Sequence, residues 1–100
     1  MKRSISQIAA FIRECAEKAE AGNDTVLDIR THFRDRMRER GIFWGDVIDI
    51  LLAPKKVEPR GKDDEGREQV WLYGKVPKIG DLRIVVSVDF DTRLITINWD

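Results

Sequence analysis

The sequence has 100 residues, which suffices for one domain with a single modest core. Its 18 lysines and arginines are balanced by 18 aspartates and glutamates, so the formal net charge is zero. Proteins that bind nucleic-acid backbones nonspecifically are more often strongly basic, so any nucleic-acid contact must come from a local patch. The single cysteine, Cys15, excludes an intramolecular disulfide and a cysteine-based zinc site.

Two kinds of hydrophobic segment are missing from the sequence. No apolar run approaches the length of a membrane span, and the N-terminus lacks the apolar core of a signal peptide. We therefore expect a cytoplasmic protein that does not contact membranes. One histidine without a cysteine partner is a poor metal site, so we expect neither a metal nor another cofactor.

Apolar residues at helical spacing predict a first helix over residues 4 to 21. Ser4 and Gln7 have the spacing of a capping box, in which each side chain binds a free backbone N–H at the helix start. Phe11 and Cys15 lie beside the main apolar stripe. They either cover the edge of the core or contact a partner, and a homo-oligomer formed through this helix is one possibility.

A second helix is predicted over residues 25 to 40, with Gly41 as its C-terminal stop. Thr25 and Asp28 would cap its start, and its buried face would consist of Val26, Ile29, Phe33 and Met37. A third, short helix is expected over residues 44 to 52, because Pro54 prevents it from continuing.

The pattern then changes from helical to strand-like. Alternating apolar residues and turn signals predict four strands, at about residues 55–60, 69–76, 82–90 and 94–99. Helices followed by closely connected strands indicate an α+β fold in one domain. We expect about three N-terminal helices on one face of a three- to four-stranded antiparallel sheet.

Several sequence motifs are similar to those of a known group of proteins. The most specific is His32-x-x-x-Arg36-Met37-x-x-Arg40-Gly41-Ile42, followed by the sequence Trp-Leu-Tyr-Gly-Lys at residues 71–75. With the later strand pattern, these motifs resemble a small bacterial and phage family of unknown function that is similar to the RelE/BrnT type of toxin. The resemblance covers about residues 30 to 99 and leaves out the first helix.

The resemblance implies a RelE-like fold, with helices packed against a curved antiparallel sheet. It also implies cleavage of messenger RNA, either on the ribosome or free, by a toxin that an antitoxin holds in check. The expected partners are therefore an antitoxin protein and RNA or the ribosome. The alternative is a non-catalytic protein-binding module of the same fold from a phage or mobile element.

RNA cleavage without a metal needs a base for the 2′-hydroxyl, a cation for the phosphate and an acid for the leaving oxygen. Histidine titrates near neutral pH, and arginine matches phosphate geometry. Tyr73 and Lys75 share one face of their strand, where Trp71 is placed to stack on a base. The candidate catalytic residues are His32, Arg36, Tyr73 and Lys75. The candidate RNA-binding residues are Arg40, Arg67, Arg83 and Trp71.

Each of these residues also has a structural interpretation. His32 can bridge the second helix and the sheet, and Arg36 and Arg40 can lay their aliphatic stems over the core edge. Trp71 and Tyr73 can pack beneath the helices. Residues 30–40 hold five arginines against two carboxylates, and a second basic group follows at residues 55–62. A shared RNA-binding surface requires these two patches to meet.

Overall fold

The computed structural model describes residues 3–100, apart from the side chain of Asp24. Its α-helices are α1 (Ile5–Glu20), α2 (Thr31–Arg40) and α3 (Trp44–Leu52). Its strands are β1 (Leu27–Ile29), β2 (Lys56–Lys62), β3 (Glu68–Val76), β4 (Gly80–Asp89) and β5 (Leu94–Trp99). A short 3-10 turn, Asp24–Val26, links α1 to β1. Within the described residues, no helix combines the length and apolarity that crossing a membrane would require.

The strands form one mixed sheet in the order β1-β5-β4-β3-β2. Strands β2 to β5 pair antiparallel, while β1 runs parallel to β5. The α+β class and the three helices are confirmed. The sheet has five strands rather than the three or four predicted, because the chain between α1 and α2 adds β1 at one edge.

The predicted helix over residues 25 to 40 is wrong in its first third. Leu27 and Ile29 pair with Ile95 and Ile97 of β5. Asp28 therefore lies in a strand and does not cap a helix, and the hydroxyl of Thr25 donates to Asn23 Oδ1 at 2.6 Å. Three alternating residues are too few to distinguish a strand from a helical turn by periodicity, so pairing with β5 decides the conformation.

Two helix ends follow the predicted local chemistry, the start of α1 and the end of α2. Ser4 Oγ accepts from the Gln7 N–H at 3.2 Å, and Gln7 Oε1 accepts from the Ser4 N–H at 2.8 Å, so the capping box is present. Gly41 ends α2 in the left-handed conformation, with φ of +70°. The carboxylate of Asp46 then accepts from the Phe43 N–H at 3.0 Å, which satisfies a free donor at the start of α3.

All three helices pack on the same face of the sheet, and the core lies between them. Phe33 of α2 has no exposed surface and its ring centroid is 5.7 Å from that of Trp99 on β5. Helix α3 lies directly on β3, since a Cβ added at Gly74 would come within 2.4 Å of Ile50 Cγ1. Glycine is therefore required at position 74 for this close approach.

Helix α1 completes the layer. Phe11 and Cys15 are both buried, and the Phe11 ring lies 4.7 Å from that of Phe90. These two side chains therefore belong to the core.

Candidate functional site

The second face of the sheet carries polar, aromatic and charged side chains, and none of the described helices packs on it. Leu72 and Gly74 of β3 point toward the helices, so their neighbours Trp71, Tyr73 and Lys75 point away. We call this surface the open face and define it by residues Lys56, Glu58, Trp71, Tyr73, Lys75, Arg83, Ser87 and Thr96. The interpretation that Trp71 and Tyr73 pack beneath the helices is wrong, because alternate residues of β3 occupy that layer.

Cross-strand register aligns three open-face side chains in one row. Tyr73 on β3 lies opposite Lys56 on β2 and opposite Arg83 on β4. The Lys56 ammonium is 5.5 Å from the centroid of the Tyr73 ring. At the end of the row Arg83 forms an ion pair with Asp100. The phenol is thus placed between two cations.

Tyr73 also influences the ionisation of its neighbours. Tyr73 lowers the pKa of the Glu58 carboxyl, and Lys56 lowers it further from 3.4 Å against the opposing effect of desolvation. Tyr73 and the carboxylate of Asp100 raise the pKa of Arg83. Tyr73 therefore has two functional neighbours on the adjacent strands: a carboxylate, which accepts protons, and a guanidinium, which stabilises negative charge.

Trp71 lies beside this row with cations next to its ring. The guanidinium carbons of Arg83 and Arg60 are 5.2 and 5.6 Å from its ring centroid. Its indole Nε1 donates to Asp100 Oδ1 at 3.0 Å. Cation–π contacts of this kind hold the ring in place on the half-buried surface.

A groove of about 590 Å³ runs along this part of the open face. Two lysines, an arginine and the phenol of Tyr73 lie along it, and one aspartate is the only acidic group in the lining. The full lining is Lys55, Lys56, Tyr73, Gly74, Asp81, Leu82 and Arg83. Excess positive charge around a groove favours an anionic ligand.

Arg67 lies apart from this groove and is held by internal partners. Its Nε is 2.7 Å from Asp63 Oδ2, and its Nη1 donates to Thr96 Oγ1 at 3.4 Å. Burial alone would raise the pKa of Asp63, but hydrogen bonds from the backbone and side chain of Arg67, with one from the Glu65 N–H, bring it below its usual value. Arg67 therefore fastens the β2–β3 hairpin across the sheet, and its charge is largely neutralised.

A chain of polar side chains crosses three strands on the open face. Arg60 Nη1 donates to Gln69 Oε1 at 2.7 Å, and Gln69 Nε2 donates to Ser87 Oγ at 2.9 Å. These hydrogen bonds satisfy the polar groups of Gln69 and Ser87, which are both buried.

The candidate residues on α2 lie on the helix-covered side of the sheet. His32 is exposed, with no hydrogen bond to any described side chain, so it does not bridge the helix and the sheet. Arg36 pairs with Glu39 at 3.2 Å, and the guanidinium carbon of Arg40 is 5.2 Å from the Trp99 ring centroid. Arg40 thus covers the core edge, as its structural interpretation requires.

The four candidate catalytic residues therefore do not form one site. The sheet separates His32 and Arg36 from Tyr73 and Lys75, because α2 packs on β5 through Phe33. The two basic patches also fail to meet. The α2 arginines lie near β5, whereas the patch at residues 55–62 lies on β2, at the far edge of the sheet.

Sequence reasoning missed two acidic residues of the site, Glu58 and Asp100. Glu58 is two residues from Lys56 on the same predicted strand, so alternation places both side chains on one face. The antiparallel register that brings this face to Tyr73 depends on the irregularity between Pro59 and Gly61, which the sequence does not specify.

The described residues contain no cluster of three or more histidine, cysteine, aspartate or glutamate side chains suited to a metal.

Comparison with known proteins places the chain in a family. Residues 29–99 match the family described as Domain of unknown function (DUF4258), a span that begins at the end of β1 and excludes α1. The predicted membership of a small family of unknown function is confirmed with nearly the same bounds. No curated protein and no solved structure matches the sequence significantly. Because the match spans well over half of the chain, the protein belongs to the DUF4258 family.

Proposed function

We propose that the open face binds single-stranded RNA and that the groove around Tyr73 cleaves it without a metal ion. The observation that carries this proposal is the row of Lys56, Tyr73 and Arg83 across three strands, with the Glu58 carboxylate 3.4 Å from the Lys56 ammonium. A proton acceptor, a proton donor and a fixed cation thereby adjoin one groove, and these are the groups that the reaction requires.

The binding step uses the cations and the indole. Lys55, Lys56 and Arg83 line the groove and contact the phosphates of the strand. Trp71 beside them supplies an aromatic surface on which a base stacks, which contributes about 1–3 kcal/mol per base in comparable sites. An open groove with an aromatic neighbour suits a single strand, whose bases are free to turn toward the protein.

In the cleavage step the Glu58 carboxylate accepts the proton of the ribose 2′-hydroxyl. The 2′-oxygen attacks phosphorus, and Arg83 and Lys56 stabilise the added negative charge on the pentacovalent phosphate. The Tyr73 hydroxyl donates its proton to the departing 5′-oxygen. The products are a 2′,3′-cyclic phosphate and a 5′-hydroxyl, and proton transfer from Glu58 to Tyr73 restores the free protein.

The resemblance to RelE/BrnT-type toxins supports the same activity. It adds the proposal that messenger RNA is the substrate and that an antitoxin inhibits the protein in the cell. An antitoxin that covered the open face would block the groove directly. His32 and Arg36 take no part in the proposed chemistry, because both lie across the sheet from Tyr73.

Expression in bacteria without a partner tests this function. We expect wild-type protein to arrest growth and Tyr73→Phe, which keeps the ring and removes the hydroxyl, to relieve the arrest. His32→Ala is the matched control, since this exposed side chain lies on the opposite side of the sheet. Normal growth with abundant, folded wild-type protein would contradict the proposal.

A non-catalytic protein-binding module is the second candidate. It is favoured by the side chain of Phe43, which is 77% exposed, and by the zero net charge of the chain. This function predicts a discrete protein complex in pull-down and intact RNA after incubation. Tyr73→Phe would then leave complex formation unchanged, whereas Phe43→Ser would abolish it.

A further inference from the structure

Two adjacent aromatic residues are exposed where α2 meets α3. Phe43 is 77% exposed and Trp44 is 37% exposed. Among the described residues only one other large apolar side chain, Ile79, is comparably exposed, and it lies in the β3–β4 turn. Neighbouring exposed aromatics on a small protein indicate a contact surface rather than chance exposure.

The groove on one side of Trp44 is apolar and basic. It has a volume of about 450 Å³ and is lined by Ile29, Arg34, Met37, Arg38, Ile42 and Trp44. Arg34 is anchored, because its Nε donates to the Ile29 carbonyl at 3.3 Å. The Arg38 side chain is 81% exposed and lies 3.9 Å from Asp35, so its guanidinium is available to an additional carboxylate.

The groove on the other side of Trp44 is acidic. It has a volume of about 510 Å³ and is lined by Ala19, Glu20, Trp44, Gly45, Asp46, Ile48 and Asp49. Glu20 and Asp49 are exposed and form no ion pair with a described cation. Trp44 is therefore a ridge with opposite charges on its two sides.

We infer that a second copy of this chain binds here and forms a two-fold symmetric dimer. A two-fold axis beside Trp44 brings the basic groove of each copy onto the acidic groove of the other. Such an interface uses the same patch twice, which requires the patch to be complementary to itself. Opposite charges on either side of an exposed aromatic ridge meet that requirement, whereas an acidic peptide would match only half of the surface.

The dimer leaves the open faces of both copies free. The ridge lies in the helix layer, and the groove around Tyr73 lies across the sheet from it. The inference therefore does not depend on the proposed RNA cleavage, and either can fail alone.

Sedimentation velocity over a range of concentrations tests the dimer through complementary charge reversals. We expect wild-type protein to dimerise, and Arg38→Glu and Asp49→Lys each to weaken dimerisation at least about tenfold, because each homodimer then places like charges together twice. An equimolar mixture of the two variants should restore a 1:1 dimer. In that mixed dimer the introduced glutamate of one variant faces the introduced lysine of the other, while the native pair forms at the second contact.

Exposed-residue substitutions provide the matched control. Trp44→Ser, which removes the ridge shared by both grooves, should weaken the dimer, while Ile79→Ser, which removes an exposed apolar side chain outside both grooves, should not. A wild-type monomer at the highest soluble concentration would overturn the inference. So would a dimer that persists in both charge variants, or a mixture that stays monomeric while each variant remains folded by circular dichroism.

Discussion

The two faces of β3 differ in their surroundings. On one face Leu72 is fully buried, and Gly74 has no room for a methyl group beneath α3. On the other face Trp71 and Tyr73 are only half-buried and contact cations from neighbouring strands. Core packing thus constrains one set of side chains and leaves the alternate set outside the core. Substitutions on the first face should therefore change stability, and those around Tyr73 should change function.

The largest loss of stability should come from Phe33→Ala. Phe33 has no exposed surface, packs against Trp99 and joins α2 to the sheet. Removing a buried phenyl ring costs about 3–5 kcal/mol in unfolding free energy, from lost burial and the cavity left behind. Urea denaturation measures this loss. A cost below about 1 kcal/mol, typical of surface positions, would show that α2 does not belong to the core.

Gly74→Ala should cost about 1–3 kcal/mol, because the new methyl group would overlap Ile50 Cγ1. The decisive test of this overlap is the double mutant Gly74→Ala/Ile50→Ala, in which the overlapping atoms of Ile50 are removed. The double mutant should be more stable than the sum of the two single losses predicts. Additive losses would contradict direct contact between α3 and β3.

These two positions also show what the sequence predicted of the fold. Helical spacing identified Phe33 as a core residue, and alternation identified the strand that carries Gly74. The sequence did not reveal β1, because Leu27–Ile29 acquires its strand conformation from β5, about seventy residues later in the chain. Long-range pairing of so short a segment leaves no local pattern to detect.

Asp63→Asn tests whether the part of the open face around Arg67 is structural. Asp63 accepts hydrogen bonds from both the backbone and the side chain of Arg67, so its loss should cost about 1–3 kcal/mol near neutral pH. The folded-state pKa of Asp63 is lowered, so its contribution is present above the carboxyl's ordinary pKa and disappears as pH falls through the lowered value.

The measurement is urea denaturation of both proteins at a series of acidic pH values. The stability difference between wild type and Asp63→Asn should shrink as the pH falls through that window. A difference that stays constant into strong acid would contradict the role assigned to the ionised carboxylate.

The smallest expected effect is a gain of RNA affinity in Asp100→Asn. The Asp100 carboxylate pairs with Arg83 and accepts from Trp71 Nε1, so it competes with a phosphate for the same donors. Exposed ion pairs contribute up to about 1 kcal/mol, which corresponds to at most about fivefold tighter binding. Fluorescence anisotropy with labelled single-stranded RNA measures the change. Weaker binding would show that Asp100 supports the site rather than competing for it.

The candidate site was only partly predictable. Alternation placed Trp71, Tyr73 and Lys75 together, and the preference of arginine for phosphate drew attention to Arg83. Nothing in the local sequence showed that His32 and Arg36 would lie across the sheet, because the side on which α2 packs depends on tertiary contacts through Phe33. Glu58 and Asp100 lie beside the groove because of the register in which the strands pair. No single segment of the sequence specifies that register.

Cleavage of single-stranded RNA by purified protein in the presence of EDTA tests the central claim most directly. We predict that wild-type protein and His32→Ala produce fragments ending in 2′,3′-cyclic phosphate. Tyr73→Phe, with unchanged stability, should cleave at least about a hundredfold more slowly, the usual effect of losing a general acid. Intact RNA with the wild type, or equal cleavage by Tyr73→Phe, would contradict the assignment of the open face as the catalytic surface.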